Sequence, residues 1–296
     1  MALDRNQLLK PVRKLQKLVK KMDSHPTPGK VHDLRTNTRR FEAIFEALSP
    51  DAPGIKKSIL KDLGRLRRRA GKVRDMDVLL SYASTVHLPG EEECLVQLLE
   101  HLGSRRRRHA KKLHLEVQRL RPELRQGLKR TPAILSKLVR PNGDGLQSGA
   151  TAANATAAAV KLAAELAVPQ RLSRENLHPY RLKVKQLRNV LQMANGNPRP
   201  KFVDDLGEVK DAIGEWHDWE ELVPIAQEAV DHGNRCELLA ELKRIAKGKY
   251  EHALALVRTL RKRYLQNAGP PKKGPSGASP KVPSGPALAA TAMLAG

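Results

Sequence analysis

The sequence predicts an all-α protein, on three observations. Apolar residues recur at spacings of three and four through nearly every segment. Period-two alternation, the mark of strands, is absent. Landmarks in the first half of the 296-residue chain return in the same order in the second half, about 140 residues later.

The first expected helix covers residues 4–22. Asp4 is placed to cap it, and Leu8, Val12, Leu15, Val19 and Met22 make one apolar stripe. The second, residues 30–48, contains "VHDLRTNTRRFEAIF" and ends before "SPDAPG". Helical patterns follow at 54–69, 75–86, 91–120 and 123–138. "RPNGDGLQSG" reads as a flexible connector, because Pro, Gly, Asn and Asp break regular structure. The pattern resumes at 151–167, 174–194, 199–214, 217–231 and 235–266. The chain therefore divides into a first half (1–139), a connector (140–150), a second half (151–267) and a Pro/Gly-rich tail (268–296) that is expected to be disordered. Each half holds about four helices, enough for an antiparallel bundle with its own core.

The formal net charge is +24 and aromatics are 3% of the residues. So large an excess repels itself in a compact state, which points to an anionic partner. Single-strand nucleic-acid binders stack bases on rings. Scarce rings point to a polyanion without bases, although a duplex held by its phosphates also fits. No apolar run of 18 residues occurs, so no membrane span is expected, and "MALDRNQLLKPVRK" lacks the apolar core of a signal peptide. Cys94 and Cys236 have no metal-type spacing and read as buried thiols of a reducing compartment.

The repeat carries the candidate site. "VHDLRTNTRR" matches "LHPYRLKVKQ" at an offset of 146, and "AGKVRDMDVLL" matches "IGEWHDWEELV" at 143. On a helix that turns about 100° per residue, Arg35 and Arg39 lie within about 60° of His32, while Leu34, Phe41, Phe45 and Leu48 lie opposite. Arg40 sits to one side. In the second copy Arg181, Lys185 and Arg188 lie within about 80° of His178, opposite Tyr180, Leu187, Leu191 and Ala194. Three chemistries compete for the histidines. Metal binding is disfavoured because the arginines repel a cation. Phosphohistidine transfer leaves the second copy unexplained. Anion binding accounts for imidazole, guanidinium and duplication together.

Asp75 and Asp218 read as N-caps or first-turn acids of the helices that follow. Asp77 and Glu220 are placed to complement a helix dipole or orient an arginine. Arg67, Lys72, Arg74, Lys210 and His217 have the reach to join the basic face. "SRRRRHAKK" sends charge all round a helix, so part of it must be solvated. Lys14 and Lys17 flank the first helix's apolar stripe.

The stretches "VHDLRTNTRRFEAIF", "GRLRRRAGKVRDMDVLL", "LHPYRLKVKQLRNVLQMA" and "LGEVKDAIGEWHDWEELV" resemble, in order, the CHAD family, the conserved histidine α-helical domain. The resemblance implies two pseudo-twofold-related four-helix bundles with a basic central cavity or channel. It implies binding of long-chain inorganic polyphosphate and association with polyphosphate granules. Many members are fused to a triphosphate-metabolising CYTH domain. No E-x-E-x-K signature of that domain appears here, so a stand-alone binding module is expected, not an enzyme. By motif match His32, Arg35, Arg39, Arg40, His178, Arg181 and Lys185 fill the basic positions. Gln186 replaces Arg40 in the second copy, and His217 replaces Arg74. Arg74, Lys183, Arg188, Lys14, Lys17, Arg67 and Lys210 complete the candidate polyphosphate-binding set. No metal, cofactor or membrane partner is expected, and nucleic acid is the secondary partner. A cytoplasmic monomer, at polyphosphate granules, is the expected state.

Overall fold

The computed structural model describes residues 5–48, 55–138, 146–168, 171–193, 200–231 and 236–265. The tail, the start of the connector and the Asp4 cap lie outside these residues. The fold is all-α, with no strand among the described residues. The helices are α1 (Arg5–Lys21), α2 (Pro28–Leu48), α3 (Ile55–Ala83), α4 (Glu92–Leu138), α5 (Leu146–Ala167), α6 (Arg174–Met193), α7 (Pro200–Ala229) and α8 (Glu237–Leu260). A π-helical turn, Arg261–Leu265, follows α8. No helix among the described residues is long and apolar enough to cross a membrane.

Three expected breaks do not occur. The segments 54–69 and 75–86 are one helix, α3; 91–120 and 123–138 are α4; 199–214 and 217–231 are α7. Glycine in a helix costs about 1 kcal/mol relative to alanine, and an interior proline about 3 kcal/mol or more. Burial outweighs both here. Ala70 and Val73 flank Gly71 and are fully buried, and Leu120, Leu124 and Leu128 carry one buried stripe past Pro122. Asp75 and Asp218 therefore stand in the middle of helices and do not cap them. The helix α5 begins at Leu146, inside the segment read as connector.

Local signals do set other ends. At α2 Thr27 is the N-cap: its hydroxyl accepts the Lys30 amide at 3.3 Å, and Pro28 occupies the first helical position. At α6 the Ser173 amide donates to Asn176 Oδ1 at 2.8 Å, while the Ser173 carbonyl accepts the Leu177 amide.

The described chain forms two compact units. The first comprises residues 1–142 with 228–232; the second comprises 143–227 and 233–296. In the first, α1 packs on α2 and α4, and α3 packs on α2 and α4, which closes a four-helix ring. Its core holds Val12, Leu15 and Val19 from α1, Leu34 and Phe41 from α2, Leu63 and Leu66 from α3, and Leu113 and Leu124 from α4. The second unit's core draws on Leu166 of α5, Leu177, Val184 and Leu187 of α6, Leu206, Ile213 and Trp216 of α7, and Val257 and Leu260 of α8. Cys94 and Cys236 are both buried.

Leu66 and Leu187 are wholly buried. Either replaced by alanine leaves a cavity and should lower unfolding free energy by about 2–5 kcal/mol, read by urea denaturation. Arg39→Ala, at an exposed position, should stay within about 0.5 kcal/mol of the parent.

Candidate anion-binding faces

In the first unit α2 presents Arg35 to α3. An arginine approaching a helix flank normally meets Cβ atoms. Here it meets Gly71, where an added Cβ would lie 2.9 Å from Arg35 Nη1. The tip of the guanidinium, Nη1, thus reaches the bare backbone, and it lies 3.8 Å from Asp75 Oδ1. Burial holds it below its ordinary pKa; Asp75 opposes that shift, and Arg39, Arg74 and Arg67 reinforce it. An arginine remains charged regardless. Three further guanidiniums from α2 and α3 thus lie within electrostatic reach of Arg35.

The second unit repeats the seat. At Gly214 an added Cβ would lie 2.7 Å from Arg181 Nη2 and 3.1 Å from Nε. Arg181 Nε also donates to the Lys210 carbonyl at 3.0 Å. About two turns further along α6, Arg188 sits on Gly207, with a Cβ-to-Nε separation of 3.2 Å, and Nε donates to the Val203 carbonyl at 3.3 Å. The first unit has no such second seat: Glu42 stands where the repeat has Arg188, and it accepts from Arg67 Nε at 3.3 Å.

The histidines differ between units. His32 is exposed, with Nε2 3.3 Å from Thr36 Oγ1. His178 is half-buried and in ring contact with His217, the centroids 4.7 Å apart. Burial lowers the His178 pKa; His217 and Arg181 lower it further, and Glu221 opposes them. Nδ1 of His178 is buried with no hydrogen-bond partner among the described residues. His217 Nε2 lies 3.4 Å from Glu221.

The other candidates divide. Arg39 and Arg40 are exposed on α2, and Arg74 and Lys185 are half-buried. Lys210 pairs with Asp211 at 2.7 Å. Lys14 is held by Asp33 at 3.6 Å, and Lys17 is exposed on α1. Lys183 lies well round α6 from His178 and pairs with Glu165 of α5 at 3.0 Å, which directs it away from the Arg181 face. Lys72 also departs from expectation: it lies on the α4 side of α3, within electrostatic reach of His109. Asp77 is an orienting acid. Its Oδ1 accepts from Arg106 Nε at 2.6 Å, while Arg106 Nη2 donates to the Pro26 carbonyl at 2.8 Å. Glu220 holds Arg174 at 2.8 Å in the same manner.

Sequence reasoning missed the glycine seats. A signal was present: Gly64 and Gly71 return as Gly207 and Gly214, inside otherwise helical patterns. A repeated helical glycine asks what approaches it.

A family profile for the CHAD domain matches residues 6–227. Among solved structures the chain is similar to the crystal structure of the CHAD domain from the plant Ricinus communis. The TM-score is 0.58 and the identity 18%, over 87% of this chain and 88% of that one. That likeness is one of fold. No curated protein matches.

The seats make a prediction that separates packing from binding. Gly71→Ala and Gly214→Ala should each raise helix propensity, leaving the melting temperature unchanged or higher. Each should displace a guanidinium and weaken anion binding roughly three- to tenfold, as measured by calorimetry with polyphosphate.

Proposed function

The chain belongs to the CHAD domain family, and on that premise we propose that it binds long-chain inorganic polyphosphate without catalysing a reaction on it. One observation carries this: each unit independently seats a guanidinium on a helical glycine, Arg35 on Gly71 and Arg181 on Gly214, with further guanidiniums around the first and an imidazole pair beside the second. Gathering like charges around a partly desolvated arginine is unfavourable in the unliganded protein. A multivalent anion reverses the sign of that interaction. Guanidinium offers phosphate a bidentate fork, and imidazole adds a donor. Polyphosphate carries about one negative charge per phosphate and no bases, which suits a surface from a chain with 3% aromatics.

Affinity then comes from charge complementarity and counterion release, so it falls steeply with salt. A polymer long enough to engage both units gains from effective concentration, so longer chains bind more tightly. Cytoplasmic polyphosphate granules are the proposed location. Competition between long polyphosphate and duplex DNA at matched phosphate concentration tests the ligand class: displacement of polyphosphate by DNA would reverse the assignment.

Arg35→Ala combined with Arg181→Ala should weaken long-chain binding by roughly tenfold or more while the thermal melt stays close to the parent's. Unchanged calorimetric affinity would remove these arginines from the site.

The two units should also respond differently to pH. His178 is held below its ordinary value in the unliganded protein, so it is neutral near pH 7. A bound polyanion favours its charged form and raises that value. Binding therefore takes up a proton, and affinity should rise as pH falls from about 8 to about 5.5. His217→Arg installs the residue found at the first unit's equivalent position, Arg74. It should raise affinity at pH ~8 and flatten the profile, as the fixed charge opposes His178 protonation. Calorimetry in buffers of different ionisation enthalpy counts the protons; an equal count in parent and variant contradicts this role.

A further inference from the structure

The face against α2 uses one flank of α3. Arg67 and Arg74 lie there, whereas Arg65, Arg69 and Lys72 fall roughly 140° or more away round the helix. The second flank runs beside α4, which packs on α3. Along α4, Arg105, Arg108, His109 and Lys112 share one side of the helix. The two rows meet around His109, which is half-buried and feels Lys72 from α3 together with Lys112, Arg105 and Arg108 from α4.

Acids neutralise the ends of these rows. Arg65 pairs with Asp62 at 3.5 Å, Arg119 with Glu116 at 2.5 Å, and Arg105 with Glu228 at 3.4 Å. Between them stand Arg69, Lys72, Arg108 and Lys112. All four are exposed, and none is within ion-pair distance of a carboxylate among the described residues, although Arg69 lies within electrostatic reach of Glu116. They span about 5 Å along α3 and about 6 Å along α4.

This surface does not come with the repeat. In the second unit the positions of Arg65, Arg69 and Lys72 are Glu208, Ala212 and Glu215. Those of Arg105, Arg108, His109 and Lys112 are Lys247, Tyr250, Glu251 and Leu254. There Glu215 pairs with Lys249 at 2.7 Å. The same helical architecture thus forms with acids outnumbering bases at these positions, so the first unit's cations are not required by its packing.

We infer that the α3/α4 seam of the first unit is a second polyphosphate-binding strip, through which one protein molecule bridges two polyphosphate chains. The inference rests on the polyphosphate assignment. Two facts favour a base-free chain over nucleic acid. The strip has no Phe, Tyr or Trp on which a base could stack. Its short double row suits a flexible linear polymer lying along a helix–helix seam, while duplex binding ordinarily buries upwards of about 600 Å² of protein surface. With the α2 face on its other flank, α3 contacts one chain on each side, the arrangement that cross-links a polymer.

The test uses light scattering of the full chain mixed with long-chain polyphosphate, alongside calorimetry. Arg69→Ala, Lys72→Ala, Arg108→Ala and Lys112→Ala are combined in one variant. Its melting temperature should match the parent's within a few degrees, because all four positions are exposed and helical. Expected is a long-chain affinity within about threefold of the parent's, with scattering reduced at least about fivefold. Scattering that is absent from the parent, or equal in parent and variant, overturns the strip while leaving the arginine seats standing. A parent that binds no polyphosphate removes both proposals. A variant that keeps its scattering but loses binding to a duplex DNA of about 20 base pairs marks the strip as a nucleic-acid contact and also overturns it.

Discussion

The candidate site depends on what an arginine requires in order to come close to a helix. Its guanidinium is planar and wide, and a helix flank studded with Cβ atoms keeps it at a distance. Glycine removes the obstruction. In the first unit Arg35 occupies that space over Gly71, and in the second Arg181 occupies it over Gly214. The seat fixes where the charged plane sits and partly strips it of water. On the proposed reading, an arginine so held would lose little further freedom on meeting a phosphate, and its fork would be worth more here than on a free side chain.

The seats determine what can surround them. Asp75 lies 3.8 Å from Arg35, near enough to temper its charge and too far for a tight pair. Arg39, Arg67 and Arg74 add repulsion. Glu42 meanwhile draws Arg67 aside at 3.3 Å. The unliganded face is therefore a balance between charge that attracts a polyanion and acids that keep the bundle from repelling itself apart. Arg106, bound to buried Asp77 and to the Pro26 carbonyl, shows the other use of the same chemistry: an arginine with its donors satisfied inside the fold is structural.

Repetition followed by divergence explains the differences between units. The glycine seat recurs in both. Around it, a permanent cation at Arg74 corresponds to a titratable one at His217, and an acid at Glu42 corresponds to a second seated arginine at Arg188. The first unit has a fixed charge at Arg74 and adds a basic strip on the far flank of α3. The second concentrates its charge around two seats and an imidazole pair. Anion binding by two such faces would draw on different fractions of fixed and proton-dependent charge.

Much of this was legible in the sequence. Helical periodicity and the absence of alternation determined the all-α class, because burial of an apolar stripe dictates spacing along the chain. The offset repeat located both histidine helices, and helix angles put Arg35 and Arg181 off the apolar side, since 3.6 residues per turn is a local property. Continuity through Gly71, Pro122 and Gly214 was not legible. A local break signal is worth one to a few kcal/mol, and buried neighbours such as Val73 and Leu124 override it only once they find partners. The seats themselves, the diversion of Lys183 to Glu165 and the position of Lys72 beside α4 were decided by tertiary structure alone. Each depends on which helix lies across from a given flank, and sequence spacing says where a side chain leaves its own helix, never what it meets.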